Sequence, residues 1–182
     1  MQAINDISER HAEVNSYNVR KVTSVSDIEA VSQLAEKIWR DHYMPIIGAA
    51  QVEYMLANFQ SPLAISKQLA AGYHYYLLLT NQQPLAYFAW MTASDGNSLQ
   101  LSKLYVDKSF QRQGIGSQII NLSVDYCQSN NLQSLWLTVN RHNHSAINFY
   151  LRNDFENVAA LVKDIGGGFV MDDFKMEKQI VR

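Results

Sequence analysis

Cysteine is almost absent from this 182-residue chain, in which Cys127 is the single example. One cysteine excludes an internal disulfide and any metal site built from several cysteines. Because Cys127 ends a helical pattern, we expect it to be a small buried hydrophobic residue. His142 and His144 stand two residues apart without a third ligand at a suitable spacing, so we expect no metal site around them.

Two further features are missing, an excess of basic residues and a long hydrophobic run. The formal net charge is -2, which offers no basic surface to a nucleic acid. No apolar stretch is long enough to cross a membrane, and residues 1–18 lack the apolar segment of a secretory signal. These absences favour a cytoplasmic protein that has no nucleic-acid or membrane partner. A homodimer is compatible with this composition, which does not fix the oligomeric state.

The overall composition is that of an ordinary globular domain. Hydrophobic residues make up 47% of the chain and charged residues 18%, which is enough to build a sizeable core. The length favours one domain. Residues 1–16 are polar and weakly patterned, and we interpret them as an N-terminal arm or an extra helix. Residues 17–182 then form the single domain.

The hydrophobic period changes several times along that domain. A strand is predicted at 17–23, and Ser26 with Glu29 fits a capping box that opens a helix. Further helical patterns cover 50–59 and 62–71. Strands then follow at 73–80, 85–92 and 99–106, a helix up to residue 128, a strand at 135–139, a helix at 144–152, and strands at 155–162 and 170–180. This order predicts an α/β fold, a mixed central sheet flanked by helices.

The strand predicted at 99–106 changes its hydrophobic phase. Leu99 and Leu101 place apolar residues at odd positions, whereas Leu104 and Val106 place them at even positions. Because strand side chains alternate with a period of two, a one-residue bulge near Ser102-Lys103 would reconcile the two halves. A central strand covered on both faces would give the same pattern. If the bulge exists, its unpaired amides could face a ligand.

A glycine loop, Gln111-Arg112-Gln113-Gly114-Ile115-Gly116-Ser117, lies between this strand and the next helix. Glycines remove side chains where a backbone must approach a ligand closely, and a helix start presents free N–H groups and a positive dipole end. The loop therefore predicts a phosphate site. It is not a Walker loop, because no lysine follows Gly116, and Ile119 stands where a dinucleotide fingerprint needs a small residue.

Two motifs resemble those of the GNAT family of acyl-coenzyme A-dependent N-acetyltransferases. The first is a hydrophobic-Tyr-Val strand end followed by Gln/Arg-x-x-Gly-x-Gly/Ala, which matches Leu104–Asp107 and Gln111–Gly116. The second is Asn-x-x-Ala-x-x-x-Tyr, which matches at 143–150. In the Gly-Phe pair that follows it in the family, Asp154 replaces the glycine. The resemblance covers about residues 22–178 and implies the acyltransferase fold of that family, with residues 17–182 as an N-acetyltransferase domain.

The resemblance also implies acetyl-coenzyme A as co-substrate and assigns residues to it. The backbone at the strand end would pair with the pantetheine arm, and the loop amides would hold the pyrophosphate. Asn143 would lie along the pantetheine. Tyr150 would lie near the thioester sulfur as the catalytic acid, although its place on an apolar helix face also suits a core residue. The implied cofactor-binding residues are Leu104, Tyr105, Val106, Gln111, Arg112, Gln113, Gly114, Ile115, Gly116, Ser117 and Asn143.

The implied reaction is direct attack of an amine on the thioester in a ternary complex. No activated Ser, Cys or Lys nucleophile is evident in the sequence, which agrees with a direct attack. A backbone N–H at the bulge could stabilise the oxyanion. The general base stays open because the strand at 99–106 has no carboxylate. His42, Tyr43, Tyr105 and Asp172 are the alternatives.

The acceptor is expected to be the amine of a small molecule, such as a polyamine. Relatives build acceptor specificity in the helical block that corresponds to 26–71. Within it, the segment Trp39–Pro45 combines aromatic residues with Asp41, and Asp172 and Asp173 lie near the chain end. Aromatic faces and carboxylates together suit a cationic substrate. The alternatives are a protein or peptide N-acetyltransferase, and a non-catalytic acyl-coenzyme A sensor on the same fold.

Overall fold

The computed structural model describes residues 13, 14 and 17–181. Its strands are β1 (Glu13–Val14), β2 (Tyr17–Lys21), β3 (His74–Thr80), β4 (Gln83–Thr92), β5 (Ser98–Val106), β6 (Ser134–Asn140), β7 (Glu156–Gly166) and β8 (Phe169–Gln179). Its helices are α1 (Val25–Ile47), α2 (Ala49–Met55), α3 (Pro62–Ala70), α4 (Ile115–Ser129) and α5 (His144–Leu151), with a π-helical turn at Leu56–Gln60 and a 3-10 turn at Lys108–Phe110. The predicted α/β class is confirmed. The predicted arm at 1–16 lies outside the described residues, apart from the two that form β1.

The strands form one mixed sheet in the order β1-β2-β3-β4-β5-β6-β8-β7. Neighbouring strands are antiparallel except for β5 and β6, which are parallel. A parallel pair needs a crossover connection, and α4 supplies it. The glycine loop therefore lies at the carboxyl end of β5, where the chain leaves the sheet to begin α4.

Each face of the sheet has its own hydrophobic core. On one face, Tyr76 and Leu78 pack with α4 and α5 residues. On the other face, Tyr75 and Leu77 pack with residues of α1, α2 and α3. Successive side chains of β3 alternate between these cores, as a strand covered on both faces requires. The helical block thus covers one face, and the helix of the glycine loop covers the other.

The first helix begins with a capping box that differs from the predicted one. The Ser24 hydroxyl accepts from the Asp27 amide at 3.1 Å, and the Asp27 carboxylate accepts from the Ser24 amide at 3.1 Å. The prediction of Ser26 and Glu29 as the box is wrong, because the helix already begins at Val25. Aspartate fills the third helical position here in place of the usual glutamate or glutamine.

The predicted bulge in β5 is confirmed. Ala89 of β4 pairs with Lys103 and the next residue, Trp90, pairs with Leu101, so Ser102 is the extra residue. Beyond the bulge the strand also separates from its other neighbour. The pairing of β5 with β6 is limited to Ser98–Gln100. Within the described residues, the β6 side of the β5 backbone is therefore unpaired from Leu101 onward, which opens a wedge between the two strands.

Asp154, which replaces the glycine of the second motif, adopts the left-handed conformation with φ 63°. Aspartate is among the few non-glycine residues that tolerate this region. Its carboxylate also lies 3.0 Å from Nζ of Lys178 on β8. The turn before Phe155 is thus formed without the glycine.

Two absences hold for the described residues. None of their helices combines the length and the apolar character that a membrane span needs. No group of three His, Cys, Asp or Glu side chains among them is arranged to hold a metal ion. Cys127 is buried, as predicted for a structural residue.

Candidate functional site

A cavity of about 1060 Å³ opens where β5 and β6 separate. It extends from the glycine loop, past the β5 bulge, to the helical block of α1, the π-helical turn and α3. The predicted site residues line it with one exception. Those that do are Leu104, Tyr105, Val106, Gln111, Arg112, Gly114, Ile115, Gly116, Ser117, Asn143 and Tyr150.

The exception is Gln113, whose side chain faces other protein groups. Its carbonyl oxygen accepts a hydrogen bond from the Tyr17 hydroxyl at 3.2 Å, which ties β2 to the glycine loop. Its amide nitrogen lies 3.5 Å from the carbonyl oxygen of Ser109. The side chain thus holds the loop, and any contact of Gln113 with a ligand would be through its backbone.

The glycine loop is shaped to present backbone amides. Arg112 and Gly114 take left-handed φ values of 63° and 79°, and α4 begins directly afterwards at Ile115. No side chain caps this helix start. The first N–H groups of α4 therefore lack a partner from their own helix, and because the residues that carry them line the cavity, an anion would be stabilised there.

The two positions of the loop need glycine for different structural reasons. A Cβ at Gly114 would meet no atom within 4 Å, so glycine is needed there because of the positive φ and not for lack of space. A Cβ at Gly116 would lie 2.8 Å from Cζ of Phe149 on α5. Gly116 therefore allows α4 and α5 to pack closely, in addition to its place at the cavity wall.

Asn143 joins α5 to α1. Its side-chain oxygen accepts from the amide of Ala146 at 3.3 Å and from the Ser145 hydroxyl at 3.1 Å, which caps the start of α5. Its amide nitrogen lies 3.2 Å from Nε2 of His42. The residue is only 3% exposed. Asn143 thus holds the imidazole of His42, which lines the cavity.

Three tyrosines gather around this point. Burial raises the pKa of Tyr43 to about 12, and it raises the pKa values of Tyr105 and Tyr150 above the ordinary value of 10. The charge that any one of them would carry disfavours ionisation of its neighbours. All three are therefore neutral phenols near pH 7, able to donate a proton or a hydrogen bond but poor at accepting a proton.

The four alternatives for the general base lie in different places. His42, Tyr43 and Tyr105 line the cavity. Asp172 instead forms an ion pair with Arg141, with Oδ1 and the guanidinium nitrogen 2.5 Å apart. Its neighbour Asp173 lines the cavity, and burial raises the pKa of that carboxyl while a hydrogen bond to Thr138 opposes the rise.

Lys103 is a cavity residue that the sequence reasoning did not single out. It lies directly after the bulge, is 9% exposed, and shares the Tyr105 face of β5. Burial lowers the pKa of its ammonium from 10.5 to about 8. A sequence signal did exist, since a lysine inside a central strand is unusual.

At the end of the cavity beside the helical block, α2 is hydrogen-bonded to the β7–β8 hairpin; this end is called the acceptor end below. The Tyr54 hydroxyl of α2 donates to the carbonyl of Ile165 at 2.6 Å, and the Gln51 amide donates to the carbonyl of Val170 at 2.8 Å. The π-helical turn places Gln60 in the cavity lining, 2% exposed, where it accepts from the Tyr87 hydroxyl at 3.3 Å. Single π-helical turns are frequent at functional sites.

Comparison with known proteins places this geometry in a family. The model of the acetyltransferase (GNAT) family matches residues 31–155. An uncharacterized N-acetyltransferase from the pepI 3' region of Lactobacillus delbrueckii subsp. lactis is 31% identical over 87 residues, which are 48% of this chain and 50% of that protein. The chain therefore spans about half the length of this curated relative.

Solved structures share the fold. The PaiA N-acetyltransferase of Thermoplasma acidophilum, in complex with coenzyme A, superposes with a TM-score of 0.72 at 21% identity over 90% of this chain and 99% of that one. The ribosomal-protein-S18-alanine N-acetyltransferase of Escherichia coli superposes with a TM-score of 0.68 at 18% identity, over 91% and 95% of the two chains. Identities this low support the shared fold and leave the acceptor open.

Proposed function

Because the chain belongs to the acetyltransferase (GNAT) family, we propose that it transfers an acetyl group from acetyl-coenzyme A to the amine of a small molecule. The transfer is a direct attack in a ternary complex. The observation that best supports this is the continuous cavity, which joins the glycine loop to the covered acceptor end and passes the β5 bulge and Tyr150 on the way.

The donor end fits acetyl-coenzyme A in two respects. The uncapped amides at the start of α4 suit the pyrophosphate, which is anionic and accepts several hydrogen bonds. The β5 backbone from Leu104 to Val106 is unpaired on its β6 side, so its amide and carbonyl groups suit the pantetheine arm as an added strand. In this arrangement the thioester lies in the wedge between β5 and β6.

The chemistry forms one C–N bond and breaks one C–S bond. The neutral amine attacks the thioester carbonyl, and a backbone N–H at the bulge stabilises the oxyanion. As the tetrahedral intermediate collapses, the attacking nitrogen loses a proton and the departing thiolate takes one from the Tyr150 hydroxyl; the proton from nitrogen returns to Tyr150 through water, so the phenol is restored. Burial raises the pKa of Tyr150, so the phenol is protonated and available as a donor to the departing sulfur.

His42 is the general base that this geometry favours among the four alternatives. Tyr43 and Tyr105 are protonated near pH 7 and accept protons poorly. The Asp172 carboxylate already forms an ion pair with Arg141. A neutral imidazole at His42 can take the proton of the ammonium group, directly or through water, and Asn143 holds the ring in place.

The covered acceptor end favours a small molecule over a polypeptide. Tyr54 and Gln51 tie the helical block to the hairpin above the cavity, so an extended peptide would have to displace this cover. Of the two carboxylates on which the polyamine expectation rests, Asp172 is paired with Arg141, whereas Asp173 lines the cavity and has a pKa that burial raises.

A thiol-release assay with acetyl-coenzyme A tests the proposal. The acceptors are amino acids, polyamines, aminoglycosides and short peptides, each at the same concentration, with donor hydrolysis measured in parallel. We expect at least one small amine to exceed every peptide in kcat/KM. Peptide turnover far above every small amine would refute the choice of acceptor. Tight donor binding without any turnover would favour the acyl-coenzyme A sensor.

A further inference from the structure

Lys103 carries the most deeply buried cationic group that lines the cavity. Its side chain belongs to the acceptor face of β5, and its Nζ lies 5.7 Å from the centroid of the Tyr75 ring. The residue is 9% exposed in the middle of the sheet, beside the bulge where the thioester is expected. The Tyr75 hydroxyl is directed away, donating to Gln68 at 2.7 Å. The ammonium group thus faces a ring and the cavity.

No carboxylate compensates this charge within residues 13, 14 and 17–181. Burial alone accounts for the lowered pKa of Lys103, and no acidic neighbour opposes it. Other lysines of the chain are paired with carboxylates, which is the usual arrangement. Lys37 pairs with Asp107, Lys175 with Glu177 and Lys178 with Asp154.

A buried ammonium without a counter-ion is costly, since burial removes its hydration and nothing replaces it. The Tyr75 ring supplies a weak attraction, which falls short of a carboxylate partner. An apolar residue would pack in this strand without that cost. The retained charge is therefore explained most simply if a ligand brings the missing anion.

Other residues at the acceptor end carry the same sign of charge as Lys103. Lys67 of α3 and Lys163 of β7 line the same cavity and add two further cationic side chains to it. Asp173 is the acidic residue of the lining among the described residues, and burial raises the pKa of its carboxyl. Apolar walls from Trp39, Met55 and Phe59 complete the space.

We propose that Lys103 binds an acidic group of the acceptor, so that the acceptor is a small amine with a carboxylate and an apolar body. The ammonium holds the carboxylate while the amine reaches the thioester beside the bulge. This inference rests on the proposed acetyl transfer and narrows its substrate class to amino acids and related amino carboxylates.

Matched acceptors test the inference on the full chain. Phenylalanine, phenylalaninamide and phenethylamine form one series, leucine, leucinamide and isopentylamine a second, and 4-aminobutyrate with its amide a third. We expect kcat/KM of at least one acid to exceed that of its amide at least tenfold. Lys103→Met should remove this preference through a higher KM for the acid, and Lys103→Arg should restore part of it.

Lys175→Met is the matched control, because Lys175 also lies over an aromatic ring, 5.0 Å from the centroid of Trp136, but pairs with Glu177 outside the cavity. This variant should keep the acid preference. Amides used as well as acids by the unmodified chain would overturn the proposal. An equal loss for acids and amides in Lys103→Met would also overturn it, and would assign Lys103 to proton transfer or packing.

A binding measurement separates this proposal from the proposed function. Calorimetry of the coenzyme A-loaded protein with N-acetylphenylalanine and N-acetylphenylalaninamide needs no turnover. One outcome is that the acid binds at least tenfold more tightly than the amide, in a way that depends on Lys103, although no amine is acetylated. That result would refute the proposed acetyl transfer and support the anion site. If amines are acetylated and the acid shows no such advantage, the anion site fails alone.

Discussion

The ring of Phe149 occupies the place where a side chain at position 116 would begin. A Cβ built on Gly116 lies 2.8 Å from Cζ of Phe149, closer than a Cβ atom is found in practice, and a tight 3.3 Å from Cε2. Because Phe149 belongs to α5 and Gly116 to the first turn of α4, this contact fixes the distance between the two helices that flank the donor end of the cavity.

We therefore expect Gly116→Val to push α4 and α5 apart. Overpacking of this kind costs about 1–3 kcal/mol in the free energy of unfolding. The variant should unfold earlier and bind coenzyme A more weakly, as measured by thermal denaturation and calorimetry. The double variant Gly116→Val/Phe149→Ala should recover most of the stability. A double variant as unstable as the single one would contradict the role of this contact.

Gly114→Ala acts through the backbone instead. The position has φ 79° and open space around it, so an added methyl group meets no atom but strains the left-handed conformation by about 1–2 kcal/mol. We expect coenzyme A affinity to fall, because the strain is relieved by moving the loop amides. Removal of Phe149 should give no rescue, in contrast to Gly116→Val. Unchanged affinity would show that the loop keeps its shape without glycine.

Tyr150→Phe should slow the chemical step while keeping the donor bound. Loss of a general acid costs about 10²–10⁴-fold in rate, and the low end applies because a thiolate is already a fair leaving group. Single-turnover kinetics measure the step, and calorimetry with coenzyme A provides the control. An unchanged rate, with chemistry shown to be rate-limiting, would make Tyr150 a packing residue beside Phe149 and Phe155.

Asn143 has two separable roles. Asn143→Ala removes the cap of α5 and should cost about 1 kcal/mol of stability. Asn143→Ser keeps a capping oxygen but cannot reach His42, which now lies 3.2 Å from the asparagine amide. We expect the serine variant to regain stability in denaturant unfolding yet remain slow in turnover. Equal recovery of stability and rate would show that His42 needs no partner at Asn143.

Lys103→Met should stabilise the fold at neutral pH. The pKa of Lys103 is lowered from 10.5 to about 8 in the folded state. Between these values the unfolded chain binds more protons than the folded one, so stability rises with pH across this window. Below pH 8 the full penalty applies, on the order of 3 kcal/mol.

The gain from Lys103→Met should therefore be largest below pH 8 and disappear as the pH approaches 10.5. Urea unfolding at several pH values measures it, and Lys175→Met provides the comparison. Because Lys175 is paired with Glu177, that variant should not gain stability at neutral pH. A gain from Lys103→Met that is independent of pH would show that packing, and not charge, is the cause.

Local patterns in the sequence predicted the fold and the donor end of the site. The phase break between Leu101 and Leu104 predicted the bulge, which the pairing of Ala89 and Trp90 confirms. The glycine loop is a contiguous segment between a strand and a helix, so its position follows from the order of elements. The capping box was predicted two residues too late, at Ser26 instead of Ser24, because Ser26 with Glu29 fits the usual pattern whereas the actual box uses Asp27 at its third helical position.

The sequence by itself determined the α/β class, the bulged strand, the glycine loop and the family, because each depends on residues close together along the chain. Tertiary structure decided what distant residues do to one another. It placed His42 against Asn143, 101 residues away, paired Asp172 with Arg141, and left Lys103 buried without a carboxylate. Charge compensation and burial depend on contacts between separate elements, and those contacts exist only once the sheet and its two helical layers have packed.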